Sequence, residues 1–157
     1  MKNLSILLLS LSLLSCGLFK KKASTDELTA ESVIKMKTGP CFGTCPVYTF
    51  TLNGLGEATY EGQRFVKKEG TWKKEFTAEE TKALFAEFQK LDFFGYDDEY
   101  TANVTDLPTT WLTYAHDGRT KTIRCYYDVP KELQELIAKV DEASNTERWT
   151  LVGAPER

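Results

Sequence analysis

Two hairpin signals limit what this chain can fold into. Residues 47–52 alternate in side-chain character and lead into Asn53-Gly54, a dipeptide that favours a tight hairpin turn. Residues 111–115 and 120–126 are β-rich and flank residues 116–119, which include a second turn signal, Asp-Gly. Strands that are joined by tight hairpins pair antiparallel. The chain is therefore expected to contain an antiparallel sheet.

Two amphipathic segments follow the predicted strands. Thr77 is an N-cap candidate with Glu80 three residues later, as in a capping box, and Pro130 is expected in the first turn of a second helix. The apolar stripes at helical spacing are Leu84, Phe85, Phe88 and Leu91, and Leu133, Leu136, Ile137 and Val140. Each stripe can cover a sheet. The predicted fold is α+β: an antiparallel sheet of about six strands covered by two helices, in the order four strands, helix, two strands, helix.

The first fifteen residues differ from the rest in composition. Lys2 is followed by residues 4–14, which are apolar apart from serines and too short to cross a bilayer as a helix. This stretch has the length of a signal-peptide hydrophobic region. Its end, Leu13-Leu14-Ser15-Cys16, resembles a bacterial lipobox, which implies cleavage before Cys16 and acylation of that residue. The alternatives are an ordinary signal peptide with a chance cysteine at its end and a short buried helix.

These features divide the chain into four parts. Residues 1–15 are predicted to be a lipoprotein signal peptide, 16–31 an acylated Cys16 with a flexible tether, 32–150 a single α+β domain, and 151–157 a tail. The implied partner is a lipid bilayer. Some lipoproteins are retained at the inner membrane by an Asp directly after the acylated cysteine, and Gly17 at that position mildly favours the outer membrane, facing the periplasm. Removing Lys2 leaves 19 of the 20 basic residues against 23 acidic ones. This balance argues against a nucleic-acid partner.

Three cysteines remain after Cys16. The number is odd, so at least one of Cys41, Cys45 and Cys125 is unpaired in a monomer, and export places them in an oxidising compartment. A tight turn at Gly43 can bring Cys41 and Cys45 within disulfide range, so we predict that these two are bonded. Cys125 is interpreted as a small core residue. Pairing with Cys125, free thiols and metal-binding thiols remain alternatives.

Common enzyme motifs are absent from the sequence. His116 is the only histidine and lies in a predicted turn, and there is no G-x-S-x-G, P-loop, G-x-G-x-x-G or H-E-x-x-H motif. We therefore expect a non-catalytic binding or structural domain without a cofactor, whose partner is an unknown envelope protein or ligand. The alternative is a thiol site for dithiol redox chemistry or for Cu(I), with Cys41, Cys45 and His116 as ligands. The C-x-x-x-C-P spacing resembles that of Sco-type copper-delivery proteins, although there the motif leads into a helix and here into strand-like residues.

Two further groups of charged residues carry weaker hypotheses. Asp97, Asp98, Glu99 and Asp106 offer oxygens to Ca²⁺, but their spacing does not match an EF-hand loop. Arg64, Lys67, Lys68, Lys73 and Lys74 are interleaved with Phe65 and Trp72, as in a nucleic-acid or anionic-lipid face. We interpret the first group as a solvated loop and the second as the polar side of a ribbon.

One segment resembles a family. Residues 39–48, GPCFGTCPVY, are followed by β residues, a glycine turn and Tyr60-Glu61-Gly62. This pattern resembles an uncharacterised domain family of secreted proteins and lipoproteins of Bacteroidota type. Residues 106–109, the hairpin after them and the helix start at 130–133 also fit, so the resemblance covers roughly residues 32–142. The resemblance implies an exported protein with the fold of that family, and it supplies no catalytic residue.

Overall fold

The computed structural model describes residues 27–154, which form one sheet with two helices. The strands are β1 Val33–Thr38, β2 Val47–Asn53, β3 Glu57–Arg64, β4 Gly70–Glu75, β5 Glu99–Tyr100, β6 Thr110–His116, β7 Arg119–Cys125 and β8 Thr150–Gly153. The helices are α1 Ala78–Lys90 and α2 Lys131–Ser144, and Phe93–Gly95 form a short 3₁₀ turn. The spatial order of the strands is β5-β7-β6-β1-β2-β3-β4-β8.

The first strand holds the two hairpin systems together. On one side β1 pairs antiparallel with β2, with Ile34 opposite Leu52. On the other side it pairs antiparallel with β6, with Ile34 opposite Tyr114. Two locally formed units, β2-β3-β4 and β6-β7, are thus joined through one central strand. This non-local pairing is what makes a single sheet.

Alternation along the strands decides which face is covered. Ile34, Met36, Phe50 and Leu52 are buried, whereas the residues between them point to the opposite face. The buried sides of both helices belong to the same hydrophobic core as these residues. Both helices therefore cover one face of the sheet, and the other face has no helix over it.

The helix ends follow from local chemistry. Thr77 caps α1: its side chain accepts a hydrogen bond from the Glu80 amide, and the Glu80 carboxylate accepts one from the Thr77 amide, so the predicted capping box is present. Pro130 lies at the residue before α2, where its missing N–H has no cost. Within the described residues, neither helix combines the length and the hydropathy that a membrane span requires.

The α+β class is confirmed, but the predicted sheet is wrong in two details. It has eight strands rather than about six, and β5 pairs parallel with β7, so the sheet is mixed rather than wholly antiparallel. Residues 65–76 are expected from their composition to be strand broken by a turn or bulge at Glu69-Gly70; the turn instead spans residues 65–69, beginning at Phe65 with a positive φ of 56°, and β4 begins at Gly70. Residues 151–153, assigned to the tail, form most of β8.

Candidate functional site

The loop between β1 and β2 contains the disulfide. Cys41 and Cys45 are bonded, with their Cα atoms 5.7 Å apart, as the spacing predicted. Gly43 has a φ of +151°, which an L side chain rarely adopts, and its amide donates to the Cys41 carbonyl at 3.0 Å. A glycine between the cysteines is thus what lets the chain reverse over so few residues.

The same loop is held to the sheet at both of its ends. The Gly39 amide donates to the Thr109 carbonyl at 2.8 Å, and the Thr38 hydroxyl donates to the Pro46 carbonyl at 2.8 Å. A Cβ at Gly39 would lie 3.0 Å from the Trp111 ring, so the backbone fits closely against that side chain. With its ends and its middle fixed, the loop presents its tip in a defined place.

The tip of this loop is Phe42, whose side chain is 90% exposed. Other exposed apolar side chains lie on loops at the same end of the sheet, which we call the loop end: Phe65, Val104, Leu107 and Tyr127. The register places these loops at the same end of the sheet, because Thr38, Val47, Arg64, Thr110 and Cys125 all pair near that end. An end of the sheet that carries five exposed apolar side chains is a candidate interaction surface.

The opposite end of the sheet, the turn end, is where the described chain begins. The Thr29 carbonyl accepts from the Ser32 and Gly54 amides at 3.0 and 3.1 Å, so residues before β1 are bound to the β2–β3 turn. Cys16, the predicted lipidation site, and the predicted signal peptide lie outside the described residues.

His116 lies at the turn end and not beside the disulfide. Its Nδ1 is 3.3 Å from the Ser32 hydroxyl, its Nε2 is 3.4 Å from the Gln89 amide, and its ring stacks on Tyr114. The disulfide loop is attached at the other end of β6, which at roughly 3.3 Å per residue is about 20 Å away. The structure therefore does not bring His116 together with Cys41 and Cys45.

Cys125 is buried, as predicted, and faces the helices. Burial raises the pKa of its thiol to about 11. A thiol with so high a pKa is a poor nucleophile at neutral pH, because the thiolate is the reactive form. Its environment fits a packing role.

The predicted acidic group is divided among different partners. Asp98 pairs with Lys121 at 2.8 Å, and Glu99 pairs with Arg124 at 3.3 Å. Asp106 accepts from the hydroxyl of the neighbouring Thr105 at 2.8 Å. In residues 27–154 there is no group of three His, Cys, Asp or Glu side chains arranged to hold a metal ion.

The predicted basic group does not form one surface either. Lys74 is buried on the helix-covered face, where its ammonium donates to the Thr146 hydroxyl at 2.6 Å and desolvation lowers its pKa. Lys73 points to the opposite face, as alternation requires. Lys68 lies over the Tyr60 ring at 4.8 Å, and burial lowers its pKa as well.

A polar cluster that the sequence did not reveal lies between β2 and α2. The Tyr48 hydroxyl donates to Asp141, and the Tyr48 ring stacks on Tyr60 at 5.0 Å. Burial, followed by the bond to Asp141, raises the pKa of Tyr48, and burial raises the pKa of Tyr60 to about 12. Trp149 packs against Tyr60 at 5.8 Å. Because 93 residues separate Tyr48 from Asp141, no local pattern could have predicted this contact.

Comparison with known proteins gives a family without a known activity. No curated protein and no solved structure matches the chain significantly. A family model described as a domain of unknown function (DUF6438) matches residues 32–144, which include all strands except β8 and both helices. The chain belongs to this uncharacterised family.

Proposed function

We propose that this chain is a bacterial cell-envelope lipoprotein whose domain binds an envelope partner at the loop end and catalyses no reaction. The anchor is a set of acyl chains on Cys16, placed in the outer membrane and facing the periplasm. This part of the proposal is supported by the apolar stretch 4–14 and the lipobox-like residues 13–16. More than one acyl chain is needed, because a single chain binds a bilayer only marginally.

The observation that carries the binding role is the exposure of Phe42. An aromatic side chain that is 90% exposed leaves a large apolar area in water, and a disulfide holds the loop that carries it. Because the loop is already held in place, it loses little conformational entropy when a partner buries Phe42. Aromatic side chains that enter a pocket on a partner commonly dominate the binding energy of an interface.

The position of the loop end also supports a partner other than the anchoring membrane. The tether joins the domain at the turn end, where Thr29 is bound to Gly54. The six residues of β1 separate this point from the disulfide loop, which corresponds to about 20 Å. A domain tethered at one end can hold the loops of the other end away from the bilayer.

A dithiol role is the second candidate, without His116 as a ligand. It is favoured by one observation: Phe42, Gly43 and Thr44, the residues between the cysteines, are exposed, so a reductant can approach the disulfide. Mass spectrometry after incubation with glutathione buffers of graded potential tests it. A structural disulfide stays oxidised at the potential of the periplasm, whereas a redox-active one is distributed between both forms.

The partner-binding role can be tested with a photo-crosslinking residue placed at position 42 in cells that express the chain. Leu55 is the matched control, since it is also apolar and 64% exposed but lies at the turn end. We expect a discrete crosslinked species from position 42 and none from position 55. Opening the loop with Cys41→Ser and Cys45→Ser should weaken that species several-fold. Equal crosslinking from both positions would contradict the proposal.

The anchor has its own test. Mass spectrometry of the N-terminal peptide should show Cys16 as the first residue with its sulfur and amine modified. Cys16→Ala should release the protein from the membrane fraction without changing its fold. A mature chain that begins at another residue would contradict the lipoprotein assignment while leaving the crosslinking result intact.

A further inference from the structure

The disulfide loop, residues 39–46, leaves most of its backbone polar groups unbonded. Within the part of the chain that the structure describes, the one hydrogen bond between two of its residues runs from the Gly43 amide to the Cys41 carbonyl. The amide and the carbonyl of Phe42 make no backbone hydrogen bond there. All three residues between the cysteines are exposed. A partner can therefore pair with this backbone as well as bury the Phe42 ring.

Phe42 lies at the centre of a three-residue turn. The turn is closed by the bond from the Gly43 amide to the Cys41 carbonyl at 3.0 Å. Phe42 is not among the residues with a positive φ, so the turn is of the common inverse kind and its central residue is unstrained. The next residue, Gly43, has no side chain to cover the Phe42–Gly43 peptide bond. A large partner can therefore approach this bond closely.

The chain on either side of the Phe42–Gly43 bond is held independently. Hydrogen bonds of 2.8 Å fix Gly39 before it and Pro46 after it, and the disulfide joins the two sides directly. Hydrolysis would add one water across the bond, leaving a carboxylate on Phe42 and an ammonium on Gly43. Because these two ends cannot diffuse apart, the bond can form again by loss of the same water.

Neighbouring loops enlarge the surface on both sides of the disulfide loop. The first residue of β2 pairs with Arg64, so the turn that begins at Phe65 lies on one side. The bond from the Gly39 amide to the Thr109 carbonyl places the segment that contains Leu107 on the other side. Phe65 and Leu107 are both exposed. An interface of ordinary size buries about 800 Å² on each partner, and these flanking side chains supply area that one loop lacks.

We propose that the disulfide loop is an inhibitory loop that occupies the active-site cleft of an endopeptidase with an apolar specificity pocket. This inference rests on the binding role proposed for the loop end, and it names the class of the partner. The Phe42 ring fills the pocket that selects the residue before the cleaved bond. The unbonded backbone groups beside it pair with the cleft as an extended substrate does. Cleavage is slow and reversible because both ends are held, so the enzyme stays occupied.

The backbone of the loop favours a peptidase over a bilayer as the site that receives Phe42. Amide and carbonyl groups without partners are costly in hydrocarbon, where no water remains to bond them. Inserting the Phe42 ring into a membrane would carry its own amide and carbonyl towards the hydrocarbon, whereas a peptidase cleft offers them partners. A simple apolar pocket would use the ring alone and would require neither the uncovered bond at Gly43 nor the anchored ends.

The test uses the full chain in detergent micelles against chymotrypsin and subtilisin, two serine peptidases of unrelated fold. We expect the chain to inhibit competitively the hydrolysis of a short chromogenic peptide by at least one of them. Phe42→Ala should weaken the inhibition about a hundredfold, because the central anchor of the interface is removed. Leu55→Ala is the control, since Leu55 is also apolar and exposed but lies at the turn end, and it should leave the inhibition unchanged.

Specificity and the disulfide provide two further measurements. Phe42→Lys should abolish the original inhibition and create inhibition of trypsin, whose specificity pocket contains a carboxylate. Replacing Cys41 and Cys45 by serine should turn the loop into a substrate, because the cleaved ends are then no longer joined across the loop. Mass spectrometry should find the Phe42–Gly43 bond cut many times faster in this variant than in the natural chain.

Three results would overturn the proposal. They are a lack of inhibition of both peptidases, inhibition by Phe42→Ala that equals that of the natural chain, and cleavage of the natural chain as fast as that of the serine variant. A discrete crosslinked partner at position 42 that is not a peptidase would overturn the peptidase assignment and leave the binding role of the loop end intact. Failure of both the inhibition and the crosslinking would overturn the two together.

Discussion

The two faces of the sheet are built from the same strands, yet their side chains differ in kind. The covered face holds Phe50, Tyr60 and Tyr114, which pack with aromatic residues of α1 and with Trp149. The helix-free face offers threonine and lysine at the alternating positions, such as Thr51 and Thr59. One face thus supplies most of the buried apolar area of the domain, and the other exposes polar side chains to solvent. The same division predicts how substitutions at neighbouring positions will differ.

The largest difference is expected between adjacent residues of β2. Phe50→Ala should lower the free energy of unfolding by about 3–5 kcal/mol, because a fully buried ring is replaced by a cavity. Thr51→Ala, one residue along, should cost less than about 1 kcal/mol, since it is half-exposed and makes no side-chain bond. Urea denaturation of both variants checks this. Similar losses of unfolding free energy in the two variants would show that the two faces contribute equally to stability.

The disulfide belongs to neither face and should have an intermediate effect. Replacing both Cys41 and Cys45 by serine should lower the free energy of unfolding by about 2 kcal/mol, because a short closed loop removes limited entropy from the unfolded chain. Denaturant melts with and without reductant provide the measurement.

Cys125 should react with a thiol reagent only after unfolding, since it is buried between the sheet and the helices. Rapid labelling of native Cys125 would contradict its assignment to the core.

A smaller effect is expected at alkaline pH on the covered face. The pKa of Tyr60 is raised by burial from 10.0 to about 12, so neutral Tyr60 stabilises the fold fully below pH 10. This stability is lost as the pH rises from 10 to 12, where the unfolded chain ionises first. Tyr60→Phe should reduce the slope of stability against pH in that window. An unchanged slope in urea melts at several alkaline pH values would contradict the burial of Tyr60.

The smallest expected difference separates two neighbouring lysines. Desolvation lowers the pKa of Lys74 below its ordinary 10.5, so its charge costs stability until the pH rises through the lowered value. The natural chain should therefore gain stability relative to Lys74→Met as the pH approaches 10.5. Lys73→Met, on the helix-free face, measures the effect of removing an unpaired lysine from the other side. A pH-independent difference between the natural chain and Lys74→Met would argue against its burial.

The elements predicted most accurately were those specified by neighbours in the chain. The hairpin turn at Asn53-Gly54, the capping box at Thr77 and the Cys41–Cys45 bond each depend on residues within a few positions of one another. Their geometry follows from turn chemistry, capping and short loop closure. Period-two alternation likewise separated the two faces, because it is a property of the strand itself.

The missed elements depend on distant partners. β5 has only two residues, and it is defined by hydrogen bonds such as that from the Arg124 amide to the Asp98 carbonyl. β8 is four residues long and is paired with β4, almost eighty positions earlier in the chain. Neither segment contains enough residues for a periodic pattern to stand out.

The sequence by itself determined the class of the fold, the hairpins, the helix starts and the disulfide, since each results from local conformational preferences and side-chain spacing. Only the tertiary structure decided that β1 joins the two hairpin units, that both helices lie on one face, and that His116 and the disulfide are at opposite ends. It also aligned Lys35 with Thr51, Thr59 and Lys73. Alignment across strands depends on which strands become neighbours, and burial of the shared core selects that arrangement over the alternatives.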